Sequence, residues 1–395
     1  MKPLEGVRVL DFTIFQQGPQ ASLAFADMGA SVIKVEAPLF GDLGRVIGVT
    51  GEDRLSPYFL ALNRGKRSIT LNLKTEEAKR ICLRLAEDSD VMIHNFRPGV
   101  MERLGLGYEE VSQANPRIIY GHASGWGTKG PRARHPAFDL AAQAQGGLIS
   151  VTGEPDGYPL PAGVAVADYV GAINLALAVV TALYVRERTG KGQKVETSLL
   201  GGQIAMQAWE IQYYMVHQTL GKSGRGHQYI PTIWHVFKTA TSYVVVGGLL
   251  ADSWPGFCKA IGMPELENDP RFANYGDMLA NREELYAILD ETFVKKPTEE
   301  WMELLTAADC ICAPVASYQD LINDPQVRAN DYIIEVDHPT RGRMPVVGAP
   351  WHFSETPTEV AATAPELGQH TEEILQELGY SWEQIGVLRE QDVLG

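Results

Sequence analysis

Asp168 is the residue best suited to do chemistry. It interrupts an otherwise apolar run, residues 163–185, just ahead of a long helical pattern. An Asp in such a place can be a helix N-cap, its side chain accepting backbone N–H bonds. It can also be a reactive carboxylate, raised in pKa by burial and kept ionised by the helix dipole and nearby N–H groups. A dry, ionised carboxylate is a competent nucleophile toward an activated acyl group. One residue can fill both roles. Gln16 and Gln17 follow the first strand pattern, and Asn95, Phe96 and Arg97 follow the fourth. Ligands bind at the carboxyl ends of parallel strands. Arg97 and Arg103 suit phosphate groups, which a guanidinium grips through paired N–H bonds. Each of these also reads as an ordinary polar turn or a solvent-facing Arg.

The charge pattern agrees with an anionic ligand bound at one place. The 395-residue chain has a net charge of −15. Residues 63–80, with Lys66, Arg67 and Lys74, carry six bases and two acids. An acidic protein of this kind does not bind nucleic acid by broad phosphate neutralisation. No Walker-type G-x-x-x-x-G-K-[ST], no G-x-G-x-x-G after the first strand and no G-x-S-x-G elbow is present. Cys310 and Cys312 form a C-x-C with no second Cys pair and no nearby His, so no metal is expected. Four cysteines in a chain of this length point to reduced thiols rather than a disulfide framework. The start, MKPLEGVRVLDF, has no long apolar stretch of the signal-peptide type. A cytoplasmic location is the expectation. Residues 163–185 are long enough to cross a membrane, but they contain Asp168, Asn174 and many Ala. They read as a buried core helix, with no membrane partner.

The elements that must position these residues alternate. VRVLDF (7–12), SVIKVE (31–36), RSITLNL (67–73), DVMIHNF (90–96) and RIIYGHAS (117–124) read as strands. Helical patterns separate them, through ASLAFADMG to Gly29 and through KTEEAKRICLRLAEDS, where Thr75 is an N-cap followed by two acids. Such alternation predicts a parallel sheet in a Rossmann-like layered α/β fold. A helix-compatible stretch covers 137–147, and the long apolar helix runs from about 169 to 188. Beyond a polar hinge at 222–232 the pattern changes to antiparallel strands and helices near 252–262 and 282–306. The division read here is a large domain over 1–224, a smaller α+β domain over 225–325, and a return segment to the large domain over 326–395. The tail holds strand-like IIEVDHP and MPVVGAP, then a helical end in which residues 355–395 carry nine acids and one base, Arg389.

Taken in order, PLEGVRVLDF, GASVIKVE, NRGKRSITLNLK, DVMIHNFRPGVMERLG, PAFDLAAQAQGG, ALYVRERTGKGQKVETSLL, VGAPWHFSETP and LGQHTEEIL resemble the segments of class III (family III) CoA-transferases. The likeness runs from residue 3 to about 378. It implies a Rossmann-like large domain built from both chain ends, a small domain between them, and an interlocked homodimer; a hetero-oligomer with a related subunit stays open. It implies that an aspartate just before the long helix, here Asp168, attacks the CoA thioester. It maps the CoA site onto Gln16, Gln17, Leu71, Asn72, Leu73, Lys74, Asn95, Phe96, Arg97, Arg103 and the stretch Pro136 to Asp139, hence Ala137, Phe138 and Asp139. It implies an acyl-CoA and a small carboxylic acid as substrates, and no cofactor beyond coenzyme A itself.

Three features depart from the formyl-CoA:oxalate branch. Ala37 stands where those enzymes have Arg, Pro136 and Phe138 stand for a Lys and a Tyr, and no glycine run lies between 205 and 245. These differences put oxalate specificity in doubt rather than the transfer chemistry. The 2-methylacyl-CoA racemases share the fold and use a His–Asp proton-transfer pair. Here the relevant stretch, Arg134 to Asp139, follows the transferase pattern, but His135 keeps the racemase as an alternative.

Overall fold

The computed structural model describes residues 1–49, 56–227, 229–249, 251–338, 341–358, 360 and 362–395. Six strands form one parallel sheet: β1 (Arg8–Asp11), β2 (Ser31–Glu36), β3 (Arg67–Thr70), β4 (Val91–His94), β5 (Ile119–Ser124) and β6 (Gln193–Ser198). Their spatial order is β3-β2-β1-β4-β5-β6. The helices that matter for the site are α1 (Gln17–Asp27), α2 (Pro57–Asn63), α3 (Glu76–Glu87), α4 (Asp139–Gln145) and α5 (Val166–Thr189).

Alternation along the strands builds two cores. Leu10 and Ile69 face one side, with Ile81, Cys82 and Leu85 of α3 and with Ile374, Leu375, Ile385, Leu388, Val393 and Leu394 from the far end of the chain. Val9, Val32, Val91 and Ile119 face the other, against Phe25 of α1 and Ala172, Leu175 and Val179 of α5. Helix α3 starts as its sequence requires: the Thr75 hydroxyl accepts the Ala78 N–H at 3.2 Å, and Glu76 and Glu77 fill the first turn. Helix α5 ends at Gly190, whose φ of 73° is the left-handed geometry that closes a helix without a side-chain clash. By length and composition α5 could span a bilayer. In this structure its Gly171, Leu175, Val179 and Ala182 are buried, while Tyr169, Ile173, Leu177 and Tyr184 are exposed on the outward side.

The chain divides into two compact units. One comprises residues 1–148, 162–212 and 325–395; the other comprises 149–161 and 213–324. Residues 149–161 and 213–224 thus cluster with the smaller unit, apart from the division read from the sequence. The smaller unit holds an antiparallel sheet of β7 (Trp234–Lys238), β8 (Tyr243–Gly247) and β9 (Cys312–Pro314). Phe237, Phe257, Leu289, Phe293 and Trp301 fill its core. The helical stretch expected at 282–306 is two helices, Arg282–Phe293 and Thr298–Ala307, because Pro297 cannot continue the first. In the larger unit β10 (Ile333–His338) and β11 (Gly342–Val347) pair antiparallel; Pro339, part of the expected strand, lies outside the described residues.

Two boundaries bear on function. Helix α1 begins at Gln17 rather than Ala21, so Gln16 is its N-cap position and Gln17 its first residue. Helix α5 begins at Val166, which places Asp168 inside the first turn rather than at the cap.

Candidate active site

Strand order reverses between β1 and β4, and a crevice opens at their carboxyl ends. A cavity of about 220 Å³ lies there. The loop from β1 into it is pinned residue by residue. Asp11 Oδ1 accepts the Thr13 N–H at 2.8 Å and the Thr13 hydroxyl at 2.5 Å. Asn95 Oδ1 accepts the Ile14 N–H at 2.9 Å, and Asn95 Nδ2 donates back to the Ile14 carbonyl at 2.7 Å. Phe15 has a φ of 63°, a region that bulky residues rarely enter. Its N–H donates to Asp42 Oδ1 at 2.9 Å.

Gln17, two residues on, is 4% exposed, and its Nε2 has no hydrogen-bond partner among the described residues. The amide rests against α5 at Gly171, where any Cβ would stand 2.7 Å from Nε2. Asp168 is three residues before Gly171, on the same helical face. An unsatisfied buried N–H donor therefore lies on the carboxylate's side of the helix.

The cap of α5 comes from elsewhere in the chain. Asp139 Oδ1 accepts the Ala167 N–H at 2.7 Å and the Asp168 N–H at 3.2 Å. Its Oδ2 accepts from Gln143 Nε2 at 2.5 Å. Asp139 is thus committed behind the cavity and does not line it, unlike the expectation from sequence. Of the two roles weighed for Asp168, the cap is filled by Asp139 instead. Burial, then the neighbouring charge of Asp139, push its carboxyl up to about 7. Tyr58 on α2 stands in the same field: burial, then Asp168, Asp42 and Asp139, push its phenol upward. Sequence reading missed Tyr58, because nothing in S-P-Y-F announces a partner more than a hundred residues away.

Of the residues read from sequence, Gln16, Gln17, Asn95, Phe96, Arg97, Ala137, Phe138 and Asp168 line this one cavity, joined by Ile14, Phe15 and His135. Asn95 lines it with its side chain already spent on Ile14. Arg97 is exposed, with no ion pair among the described residues. The Phe138 ring meets Phe15 edge-on at 5.3 Å. Ala137 approaches so closely that a Cβ on Gly125 would lie 2.2 Å from its own; only glycine fits at position 125. Behind Phe96, the rings of His94 and His122 stack at 4.3 Å, and His122 Nε2 lies 3.0 Å from the Phe96 carbonyl.

The remaining candidates are not in the cavity. Leu71 is 1% exposed in the core, which closes its side chain to a ligand. The Asn72 backbone N–H donates to the Val393 carbonyl and its amide to the Asp392 carbonyl. Leu73 packs on the same core, and Lys74 is exposed beyond the edge strand β3. Arg103 is exposed; its guanidinium reaches back to within 3.2 Å of where a Gly99 Cβ would be.

Known proteins resemble this chain throughout. The profile of CoA-transferase family III matches residues 4–371. A succinyl-CoA:glutarate CoA-transferase from Mus musculus is 36% identical over 379 residues, 96% of this chain and 87% of the relative. A formyl-CoA:oxalate CoA-transferase from Rhodopseudomonas palustris (strain BisB18) is 34% identical over 421 residues, covering 100% of this chain and 97% of the relative. A crystal structure of a CAIB/BAIF family protein from Brucella suis superposes with a TM-score of 0.86 at 32% identity, over 95% of this chain and 99% of that one. With the six-stranded parallel sheet, the cavity at its strand reversal and a cavity-lining carboxylate in the first turn of a long helix, these matches lead to one assignment: the chain belongs to CoA-transferase family III.

Proposed function

We propose that the protein moves CoA from an acyl-CoA donor to a carboxylic acid, with Asp168 as the covalent carrier. The observation that carries this reading is the half-buried carboxylate of Asp168, which caps no helix, in a cavity shared with Arg97 and with Gln17, whose Nε2 has no hydrogen-bond partner among the described residues. The Asp168 carboxylate attacks the donor thioester carbon; the C–S bond breaks, giving an aspartyl mixed anhydride and CoA thiolate. The thiolate attacks the aspartyl carbonyl, and the donor acid leaves as carboxylate. The acceptor carboxylate then displaces CoA thiolate from the aspartyl thioester, and the thiolate takes the acceptor acyl group, which frees Asp168. One thioester replaces another, so no ATP is needed. Gln17 Nε2 supplies the N–H for the carbonyl oxygen as it becomes an oxyanion. The thiolate stays near while the rest of CoA remains bound, so its effective concentration is high.

Two aromatic rings, Phe15 and Phe138, border the cavity, and Ala37 and Phe138 replace the residues of the oxalate branch. These features favour an acceptor with methylenes between its carboxylates, the class that includes glutarate and succinate, over oxalate. Incubation with a panel of acyl-CoA donors and mono- and dicarboxylic acids tests this; oxalate as the best acceptor contradicts it.

The test of the mechanism is trapping. Wild-type protein treated with acyl-CoA and hydroxylamine loses activity and carries a hydroxamate at residue 168; a label elsewhere overturns the assignment. The racemase alternative has one observation in its favour, that His135 lines the same cavity as Asp168. It predicts α-proton exchange of a 2-methylacyl-CoA in D2O with no CoA transfer.

Arg97 is assigned to the phosphates of CoA. Arg97→Ala is expected to raise KM for acyl-CoA about tenfold and change kcat much less, the signature of lost uniform binding. Steady-state kinetics check it. The dimer implied by the family likeness gains support from the exposed Ile173, Leu177 and Tyr184 on α5, an apolar strip unusual on an outer face. Equilibrium sedimentation at micromolar concentration should give twice the 43.4 kDa chain mass.

A further inference from the structure

Lys34 has no reason of stability to be where it is. It sits between Ile33 and Val35 in β2, is 0% exposed, and lies opposite Asp11 in the ladder. Replacing a buried ion pair by apolar residues is often neutral or stabilising. Its contacts point to the active-site loop. Lys34 Nζ donates to the Thr13 carbonyl at 2.7 Å and stands 3.0 Å from Asp42 Oδ2. Asp42 is itself 1% exposed. Its Oδ1 accepts the N–H of Phe15 at 2.9 Å and that of Gly44 at 2.8 Å. Asp42 is anchored in turn by its own N–H, which donates to Glu36 Oε1 at 2.9 Å. Lys34 and Asp42 thus hold the loop at Thr13 and at Phe15, the residue with φ 63°. The next two residues are Gln16 and Gln17.

We propose that Lys34 and Asp42 are positioning residues for acyl transfer, a buried ion pair that holds Phe15 in its left-handed turn and so aims the Gln17 amide at the carbonyl that Asp168 attacks. The proposal rests on the transferase reading above. Neither residue lines the cavity; both act through the loop.

The test has a structural arm and a kinetic arm. In Asp42→Asn, hydrogen exchange of the peptide covering residues 12–18 should accelerate by about 100-fold while the β4 and β5 amides stay protected. Acceleration across the whole sheet would mean a merely structural role, and unchanged exchange would mean no role; either overturns the proposal whatever the protein catalyses. In the kinetic arm, kcat should fall about 30-fold with KM for acyl-CoA within about threefold, because an interaction made in the transition state is lost. Asn enters the left-handed region more readily than Phe. In a Phe15→Asn background the same Asp42→Asn change should therefore cost less than about fivefold, a coupling read by the double-mutant cycle. An equal cost in both backgrounds overturns the link through Phe15. Should Asp42→Asn not fold, Lys34→Met/Asp42→Asn removes both charges together and takes its place; failure of that variant to fold would show the pair to be structural and overturn the proposal. Failure of the transferase reading shows separately, as a wild type that transfers no CoA.

Discussion

Asp168→Asn is expected to reduce CoA transfer by about 10³-fold or more while leaving the fold intact. The amide cannot form the anhydride, so the covalent route closes. The helix start survives, because Asp139 rather than Asp168 caps α5. Stability should respond in the opposite direction from activity. A carboxyl whose folded pKa is about 7, against 3.8 for an Asp free in water, holds its proton more tightly when folded. It adds stability below the unfolded pKa, and that contribution is lost as pH rises through 7. Asn carries no such liability. Thermal midpoints of the variant should exceed those of wild type by a few degrees at pH 8 and coincide with them near pH 3.5. A variant with near-normal turnover removes Asp168 from the mechanism; a variant less stable at pH 8 removes the buried-charge account.

The second large effect concerns Asp139. The nucleophile must be ionised, so kcat/KM for wild type should fall on the acid side with an apparent pKa near 7. Removing the neighbouring negative charge in Asp139→Asn lowers the Asp168 pKa, and the acid limb should move down by about one unit. At pH 5.5 the variant then holds up to about ten times the wild-type fraction of ionised Asp168. Asn still offers an acceptor oxygen to the N–H groups of Ala167 and Asp168, so the cap is largely kept. Asp139→Ala separates the two functions: it should shift the limb alike and also cost about 1 kcal/mol or more of stability. pH–rate profiles and thermal melts of the three proteins decide. A limb that stays near 7 in both variants would mean that burial alone sets the Asp168 pKa.

What was legible in the sequence follows from how local each signal is. The strands β1 to β5 were readable from apolar runs between turn residues. Strand order then placed Gln16, Gln17 and Asn95 to Arg97 at one crevice. Asp168 was readable because one charge in an apolar run must have a reason. Its partners were not. The cap arrives from Asp139, and a single sequence carries no sign of that pairing. The start of α5 was misjudged for the same reason, since the cap was sought next to the helix. Leu71, Asn72 and Leu73 came from likeness alone, and they lie beyond an edge strand; Lys74 and Arg103 also stood out by charge, but neither lines the cavity. Lys34 within SVIKVE looked like an ordinary strand residue; its burial depends on Asp42, in a loop that periodicity cannot describe.

The packing of Ile374, Leu375, Ile385, Leu388, Val393 and Leu394 under β1 and β3 also sets a timetable for biosynthesis. These six residues of that core are encoded some 300 residues after the strands they cover. At bacterial or eukaryotic translation speeds the interval is roughly 15–60 s. Throughout it, Leu10, Ile69 and Leu71 have emerged from the ribosome with α3 beside them but without the C-terminal part of their cover. The nascent chain therefore carries a partly uncovered apolar sheet face until its last residues are made, the kind of surface that favours aggregation.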